Sequence, residues 1–336
     1  MTGGTADGLA LIGDVGGTNC RLAVTATAAR GTPRISDVRT YPAADFPTFE
    51  DAVATYLRDA GVSVSAAVIA VAGPVTNGEV AMTNHPWRLT ERGLAARLGG
   101  TKSRLINDFE ALAHALPALG PGDLLALGAA REPAARSTMA VMGAGTGFGT
   151  AALVRDASGQ AVLVGEGGHS AISPGEALPV EVWRRLEDRF GYVQVEHVLS
   201  GPGLMNLHRA LCEIEGRSPS FQAPDAITDG AAAGDARALA VADLFVAAFG
   251  AVAGDMALIY GARSGVFLAG GVSQRLLTAK AGAAFRASFE AKGAFSDYVV
   301  AIPTWLITHD QPGLLGAACA LADAGAPAPT SNGATL

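Results

Sequence analysis

Lysine is scarce in this sequence. Only Lys102, Lys280 and Lys292 occur in 336 residues, and none follows a glycine. A Walker A loop needs Gly-Lys-Ser/Thr, and a protein-kinase site needs a lysine in a VAIK-like strand, so both classes are excluded. Cysteine is as sparse. Cys20, Cys212 and Cys319 lie far apart with no CxxC pair. That argues against a cysteine zinc site or a disulfide framework and leaves reduced thiols as the plain reading. Basic surface is lacking too: the net charge of −7 argues against a nucleic-acid partner. It does not argue against a nucleotide, which backbone amides and a metal ion can hold. The opening MTGGTADG lacks the basic start and apolar core of a secretory signal. The longest strongly apolar run, Leu244–Gly254, sits between Asp243 and Asp255. It is about half the roughly 20 residues a membrane span needs. A cytoplasmic protein without a membrane partner is expected.

What is abundant is apolar and small. Hydrophobic residues make up 49% and charged residues 16%, with 43 glycines, the balance of a compact globular protein. At this length two domains are expected. Two stretches 130 positions apart are built alike: LALIGDVGGTNCRLAV over Leu9–Val24 and MAVMGAGTGFGTAALV over Met139–Val154. Each is an apolar run, a glycine-rich loop and a second apolar run, a strand–turn–strand unit. Glycine adds no side chain and reaches φ > 0, so such loops bring N–H groups close to phosphate oxygens. Two of them imply a nucleotide held between two related halves.

Further elements follow from period and punctuation. Phe49, Val53, Tyr56 and Leu57 mark a helix over Thr48–Ala60, and Val64–Val71 is a buried strand ending at Ala72-Gly73-Pro74. Arg104–Ile106 is a short strand, followed by helical spacing at Phe109, Leu112, Leu116 and Leu119. The segment PALGPG, 117–122, is the best internal boundary. Helices are expected near Val180–Phe190, Gly203–Glu215 and Asp235–Tyr260, and a strand over Gly265–Leu268 runs into Ala269-Gly270-Gly271. The resulting domains are 9–118 with about 310–324, and 119–309. Disordered tails are expected at 1–8 and 325–336.

The chemistry-bearing residues sit at the ends of these elements. Gly147–Ala152 fits GxGxxA by letter, but a dinucleotide fold needs a helix next, and Arg155–Gly159 reads as a hairpin turn. A phosphate-wrapping hairpin loop remains. Gly13, Asp14, Val15, Gly16, Gly17 and Thr18 form the first loop, and Gly145, Thr146 and Gly147 lie at the tip of the second. Asp14, at the strand end, is placed to hold Mg²⁺ directly or through water, although a solvated turn aspartate fits this loop alone. Asn107-Asp108 stands at a strand-to-helix junction, where helix capping and ligand binding are both natural. Gly165-Glu166-Gly167-Gly168-His169 is a loop, because two glycines disfavour a helix. Its carboxylate and imidazole suit a polyhydroxylated ligand, and an exposed turn is the alternative. His169 has no second histidine at ligand spacing; His85, His114, His197, His208 and His309 read as surface or capping residues.

The ordered set GDVGGTNCR, AMTNHPW, INDFEAL, GAGTGFG, GEGGH, VLSGPGL, FLAGGV and HDQPGLLG resembles the bacterial glucokinases over about Leu11 to Gly316. Any one motif is weak; eight in order are specific. The resemblance implies an α/β, two-domain sugar-kinase/actin/Hsp70-like fold, a duplicated ribonuclease-H-like unit with a cleft between domains. It implies ATP-dependent phosphorylation of glucose, with another hexose kinase, or a non-catalytic sugar sensor, as the alternative. It makes Asp108 the catalytic base and sugar ligand, and Asn107, Glu166, His169 and Glu196 sugar ligands. The last would otherwise be read as a helix-surface charge. It lays Gly270 and Gly271 against adenosine, and it implies ATP and Mg²⁺ as cofactors and a homodimer through the second domain. No cysteine follows the GEGGH loop, so the chain looks like the branch without zinc. An aspartate of ordinary pKa, about 3.9, is a weak base, so late proton transfer is expected.

Overall fold

The computed structural model describes residues 8–27, 31–82, 85–129, 131–157 and 159–324. Of the expected tails at 1–8 and 325–336, all but Gly8 lie outside the described residues, as do Thr83 and Asn84 of the AMTNHPW motif; the Gly8 carbonyl accepts from the Thr27 N–H at 2.9 Å. The chain forms two compact units, Met1–Leu119 with Asp310–Leu336, and Gly120–His309.

The first unit begins with β1 (Leu9–Val15), β2 (Asn19–Ala26), β3 (Ser36–Pro42), α1 (Phe49–Ala60) and β4 (Ala66–Val71). A small hairpin, β5 (Glu79–Ala81) and β6 (Arg88–Thr90), leads through α2 (Glu91–Arg97) to β7 (Lys102–Asn107) and α3 (Asp108–Ala115). The sheet order is β3-β2-β1-β4-β7. The β1–β2 and β2–β3 pairs are antiparallel, while β1–β4 and β4–β7 are parallel. Alternation along the strands sends side chains to two faces. Leu11 and Ile69 join Phe49, Val53 and Tyr56 of α1 in one core, whereas Ile12, Val68 and Ile106 join a second. Thr48 caps α1 by accepting from the Asp51 N–H, and Gly61 ends it in the left-handed region.

The second unit repeats the plan. Its strands are β8 (Leu124–Ala126), β9 (Met139–Ala144), β10 (Phe148–Arg155), β11 (Gln160–Gly165), β12 (Val266–Ala269) and β13 (Thr304–Ile307). They are ordered β11-β10-β9-β12-β13-β8. Again an antiparallel run, β11-β10-β9, is continued by two parallel strands, and β8 adds an antiparallel edge. The duplication legible in the two glycine loops therefore extends to whole sheets. The helices are α4 (Val180–Phe190), α5 (Gly201–Ile214), α6 (Pro224–Ala233), α7 (Ala236–Tyr260), α8 (Gly271–Leu276), α9 (Gly282–Glu290) and α10 (Ser296–Val300). The last helix, α11 (Pro312–Ala324), belongs to the first unit, where Leu314, Ala317 and Ala318 complete the Ile12 core.

Helix α7 has the length expected from the sequence, and its apolar stretch extends beyond Leu244–Gly254. Its 25 residues include an 18-residue window of mean hydropathy 1.8, long and apolar enough to cross a membrane. More than half of that window is buried inside the unit, and Phe249 packs against Phe148, Phe245 and Phe285. Its apolar residues thus serve the core. His208 also departs from expectation. It is fully buried on α5, and its Nε2 accepts from the Ser220 and Phe221 N–H groups at 3.0 and 3.2 Å.

Candidate active site

In the first unit the strand register gathers the expected residues at one edge. Val15, Val71 and Asn107 are paired across β1, β4 and β7, so the residues following them emerge side by side from the carboxyl ends of parallel strands. Asn107 is the N-cap of α3. Its Oδ1 accepts from the Phe109 and Glu110 N–H groups at 2.9 and 3.3 Å, and its Nδ2 donates to the Gly73 carbonyl at 3.0 Å. Helix capping, one of the two alternatives open in the sequence, is what this residue does here. With Oδ1 committed to the helix, Asn107 can meet a ligand only as a donor.

Asp108 starts α3, and its Oδ1 accepts from its neighbour's amide, the Phe109 N–H, at 3.0 Å. Burial pushes its carboxyl up from the usual 3.8 to about 7, and the nearby charge of Asp14 adds to the rise. Hydrogen bonds from Phe109 and Asn107 oppose it without cancelling it. The ordinary pKa expected of this aspartate is therefore corrected: the Asp108 carboxyl titrates near neutral pH. Asp14 pairs across the hairpin with Arg21, Nη1 to Oδ2 at 3.3 Å. Burial raises its pKa, and Arg21 pulls the other way. Its carboxylate packs on the first turn of α11, where a Cβ on Gly313 would lie 2.8 Å from Cγ.

The second unit gathers the other group. Thr150 Oγ1 donates to the Gly165 carbonyl and accepts from the Gly167 N–H, both at 3.2 Å, so it straddles Glu166. Glu166 and His169 are exposed on the resulting loop. His169 Nδ1 meets Gln194 Oε1 at 3.0 Å. An amide oxygen only accepts, so Nδ1 is the donor in this contact, and a neutral imidazole then keeps Nε2 as its acceptor. Glu196, in a 3-10 turn over Val195–His197, accepts from the Phe148 N–H on Oε2 at 2.8 Å. It is no helix-surface charge. Only a family motif signals it, because its partner is 48 positions away.

The two glycine loops use glycine differently than expected. None of Gly13, Gly16, Gly17, Gly143, Gly145, Gly147 and Gly149 has a positive φ. Space is the reason at Gly13, Gly143 and Gly147: a Cβ on Gly143 would fall 2.2 Å from the Ala269 carbonyl oxygen, whereas one on Gly145 would meet nothing within 4 Å. Gly16 N–H is also taken, donating to Asn19 O at 3.0 Å to close its turn. Gly270, at φ +92, does need glycine, and it lies against Ala144. Ser273 Oγ, just beyond, accepts from the Ala144 N–H at 3.0 Å, which ties the Gly270-Gly271 segment to the second loop. Thr18 and Thr146 are exposed at the loop tips. Oxygen donors such as the Asp14 carboxylate suit Mg²⁺. Among the described residues no group of three or more His, Cys, Asp or Glu could hold a metal ion.

A glucokinase family profile matches residues 11–324. A glucokinase from Caulobacter vibrioides (strain NA1000 / CB15N) is 42% identical over 328 residues, 97% of this chain and 98% of that protein. The crystal structure of a glucokinase from an Antarctic psychrotroph superposes with a TM-score of 0.85 at 33% identity, covering 95% of this chain and 100% of that one. A ROK family glucokinase from Streptomyces griseus, solved with glucose and AMPPNP, shares the fold with a TM-score of 0.62 at 20% identity, covering 95% of this chain and 100% of that one.

Proposed function

The chain belongs to the glucokinase family, whose reaction is the ATP-dependent phosphorylation of glucose, and we propose that the residues described above carry it out. Asp108 takes the proton from the sugar 6-hydroxyl as that oxygen attacks the γ-phosphorus of ATP, the bond from that phosphorus to the β,γ-bridging oxygen breaks, and ADP leaves. The observation that carries this role is the carboxyl itself: it opens a helix at the carboxyl end of a parallel strand, with its pKa raised to about 7. A base of that strength holds a proton far better than an ordinary aspartate and is still largely ionised slightly above neutrality.

Phosphoryl transfer needs little covalent help, so the other residues position and neutralise. Asn107 donates to a sugar oxygen, while Glu166, Glu196 and the His169 Nε2 accept from sugar hydroxyls. The loops at Gly13–Thr18 and Gly145–Gly147 take the phosphates, and Gly270 and Gly271 lie along the adenosine. Asp14 would hold Mg²⁺, and the ion would neutralise phosphate charge there. The protein works in the cytoplasm as a homodimer, without zinc, nucleic acid or membrane.

Asp108→Asn tests the assignment. It should lower kcat by about 10²–10⁴ while glucose still binds, measured by a coupled assay and by calorimetry. Normal turnover would remove Asp108 from the mechanism.

A further inference from the structure

The sugar-side groups of the second unit all hang on the first three residues of β10, the strand that leaves the second glycine loop. The Phe148 N–H donates to Glu196 Oε2, and the Phe148 carbonyl lies where a Cβ on Gly168 would come within 2.2 Å. Two residues on, Thr150 holds Gly165 and Gly167 on either side of Glu166. The contact reaches into the loop as well: a Cβ on Gly147 would fall 2.5 Å from Glu196 Oε2. From the other side, Gly201 N–H donates to the Gly145 carbonyl at 2.8 Å, while Ser200 Oγ donates to the Glu196 carbonyl at 2.7 Å. The glycine loop and the glutamate are thus bound to each other twice, once through the carboxylate and once through the start of α5.

We infer that Glu196 is a coupling residue, whose carboxylate joins the sugar to the phosphate-binding loop. This rests on the sugar and phosphate assignments proposed above. One oxygen anchors the loop at Phe148, and the carboxylate also takes a glucose hydroxyl. A sugar that fixes Glu196 fixes the Gly147–Phe148 peptide, and a nucleotide that orders that peptide orients Glu196. Glucose and ATP then help each other bind, and linkage requires equal factors in both directions. The same carboxylate would recognise any acceptor with a hydroxyl at that position, so a sugar lacking it should bind without assisting the nucleotide.

Calorimetry on the full chain tests this with glucose alone, AMPPNP–Mg²⁺ alone, and each in the presence of the other. The expected mutual tightening is about fivefold or more, inside the range usual for coupled sites. Gly147→Ala adds a methyl group to the nucleotide loop and none to the sugar loop. It should nonetheless weaken glucose binding measured without nucleotide by about tenfold, and bring the coupling factor close to one. Glu196→Gln keeps the volume and an acceptor for Phe148 but loses the charge, so glucose binding and the coupling factor should both fall. A wild-type factor of one, or a Gly147→Ala variant that weakens AMPPNP alone, overturns the coupling. Should Gly147→Ala fail to fold, Glu196→Gln decides, and a coupling factor equal to wild type overturns the proposal. If Glu196→Gln leaves glucose binding unchanged, the sugar assignment of Glu196 itself falls, and the coupling falls with it. If that variant weakens glucose binding while the wild-type factor is one, the sugar assignment stands and only the coupling is lost.

Discussion

Asp108 titrates near neutrality because its surroundings disfavour its charge: protein replaces water around it, and Asp14 adds a like charge. In the unfolded chain the same carboxyl ionises at about 3.9. As pH rises from there to about 7 the unfolded state loses its proton while the folded state keeps it, so ionisation progressively costs folding stability. Above that pH the cost is complete; well below the unfolded value it vanishes. Asp108→Asn should therefore melt higher than wild type at pH 8 and equally at pH 3, with a gain of up to about 4 kcal/mol, lessened by water reaching the site. Catalysis runs the opposite way, because only the ionised form accepts a proton. The acid limb of kcat/KM against pH should be centred near 7, and a limb centred near 4 would show that the free enzyme's base is an ordinary carboxylate. None of this is legible in the letters Asn-Asp, since burial is a property of the packed neighbours. What can be read there is the position, because an apolar strand followed by an N-cap residue fixes where the helix starts. His208 makes the same point in reverse: a polar residue in a helical stretch reads as surface, yet two loop amides pay for its burial.

At the scale of elements, the glycine loops are the most legible feature, since strand, turn and strand are local in sequence and repeat. Their physical logic is less so. The sequence offers two reasons for glycine, the missing side chain and φ > 0; none of these glycines has a positive φ, and at Gly143 and Gly147 the missing side chain leaves room for Ala269 and Glu196, which are distant in sequence. Helix α11 shows how such close approaches bear on the site. It packs on α3 so tightly that a Cβ on Gly316 would lie 1.9 Å from the Ala111 carbonyl oxygen. Since α3 begins at Asp108 and α11 begins beside Asp14, separating the two helices must shift one carboxylate against the other. Gly316→Ala should destabilise the chain by about 1–3 kcal/mol or more, as overpacking does, and should lower kcat more than it raises the KM for glucose. A variant with unchanged melting temperature and kcat would mean that the two helices slide apart freely.

On the whole-molecule scale, the two units have the same sheet plan but different surfaces. Of the eleven large hydrophobic residues that stand exposed among the described residues, only Val38 belongs to the first unit. The others include Ile259, Tyr192, Phe295 and Leu163, each more than half exposed. Ile259 is the extreme, at 72%, on the outer turn of α7. It borders a cavity of about 830 Å³ whose wall includes Ile172, Leu178, Val252 and Met256. An exposed apolar side chain beside a hollow with apolar walls can make a self-complementary surface, and the same lining also carries Glu176, Asp255 and Lys292. On a two-fold axis each copy can fill the other's hollow, the isologous arrangement most homodimers adopt. Ile259 beside this hollow makes the second unit the candidate interaction face. The homodimer proposed above should therefore form through the second unit, and sedimentation velocity should report about twice the chain mass of 33.8 kDa. Ile259→Glu should shift the species to the monomer while leaving kcat within about twofold of wild type, since a charge buried without a partner costs several kcal/mol at an interface and the residue contributes to neither substrate group. A wild-type monomer at micromolar concentration would overturn the dimer, and a variant that stays dimeric would move the interface away from α7.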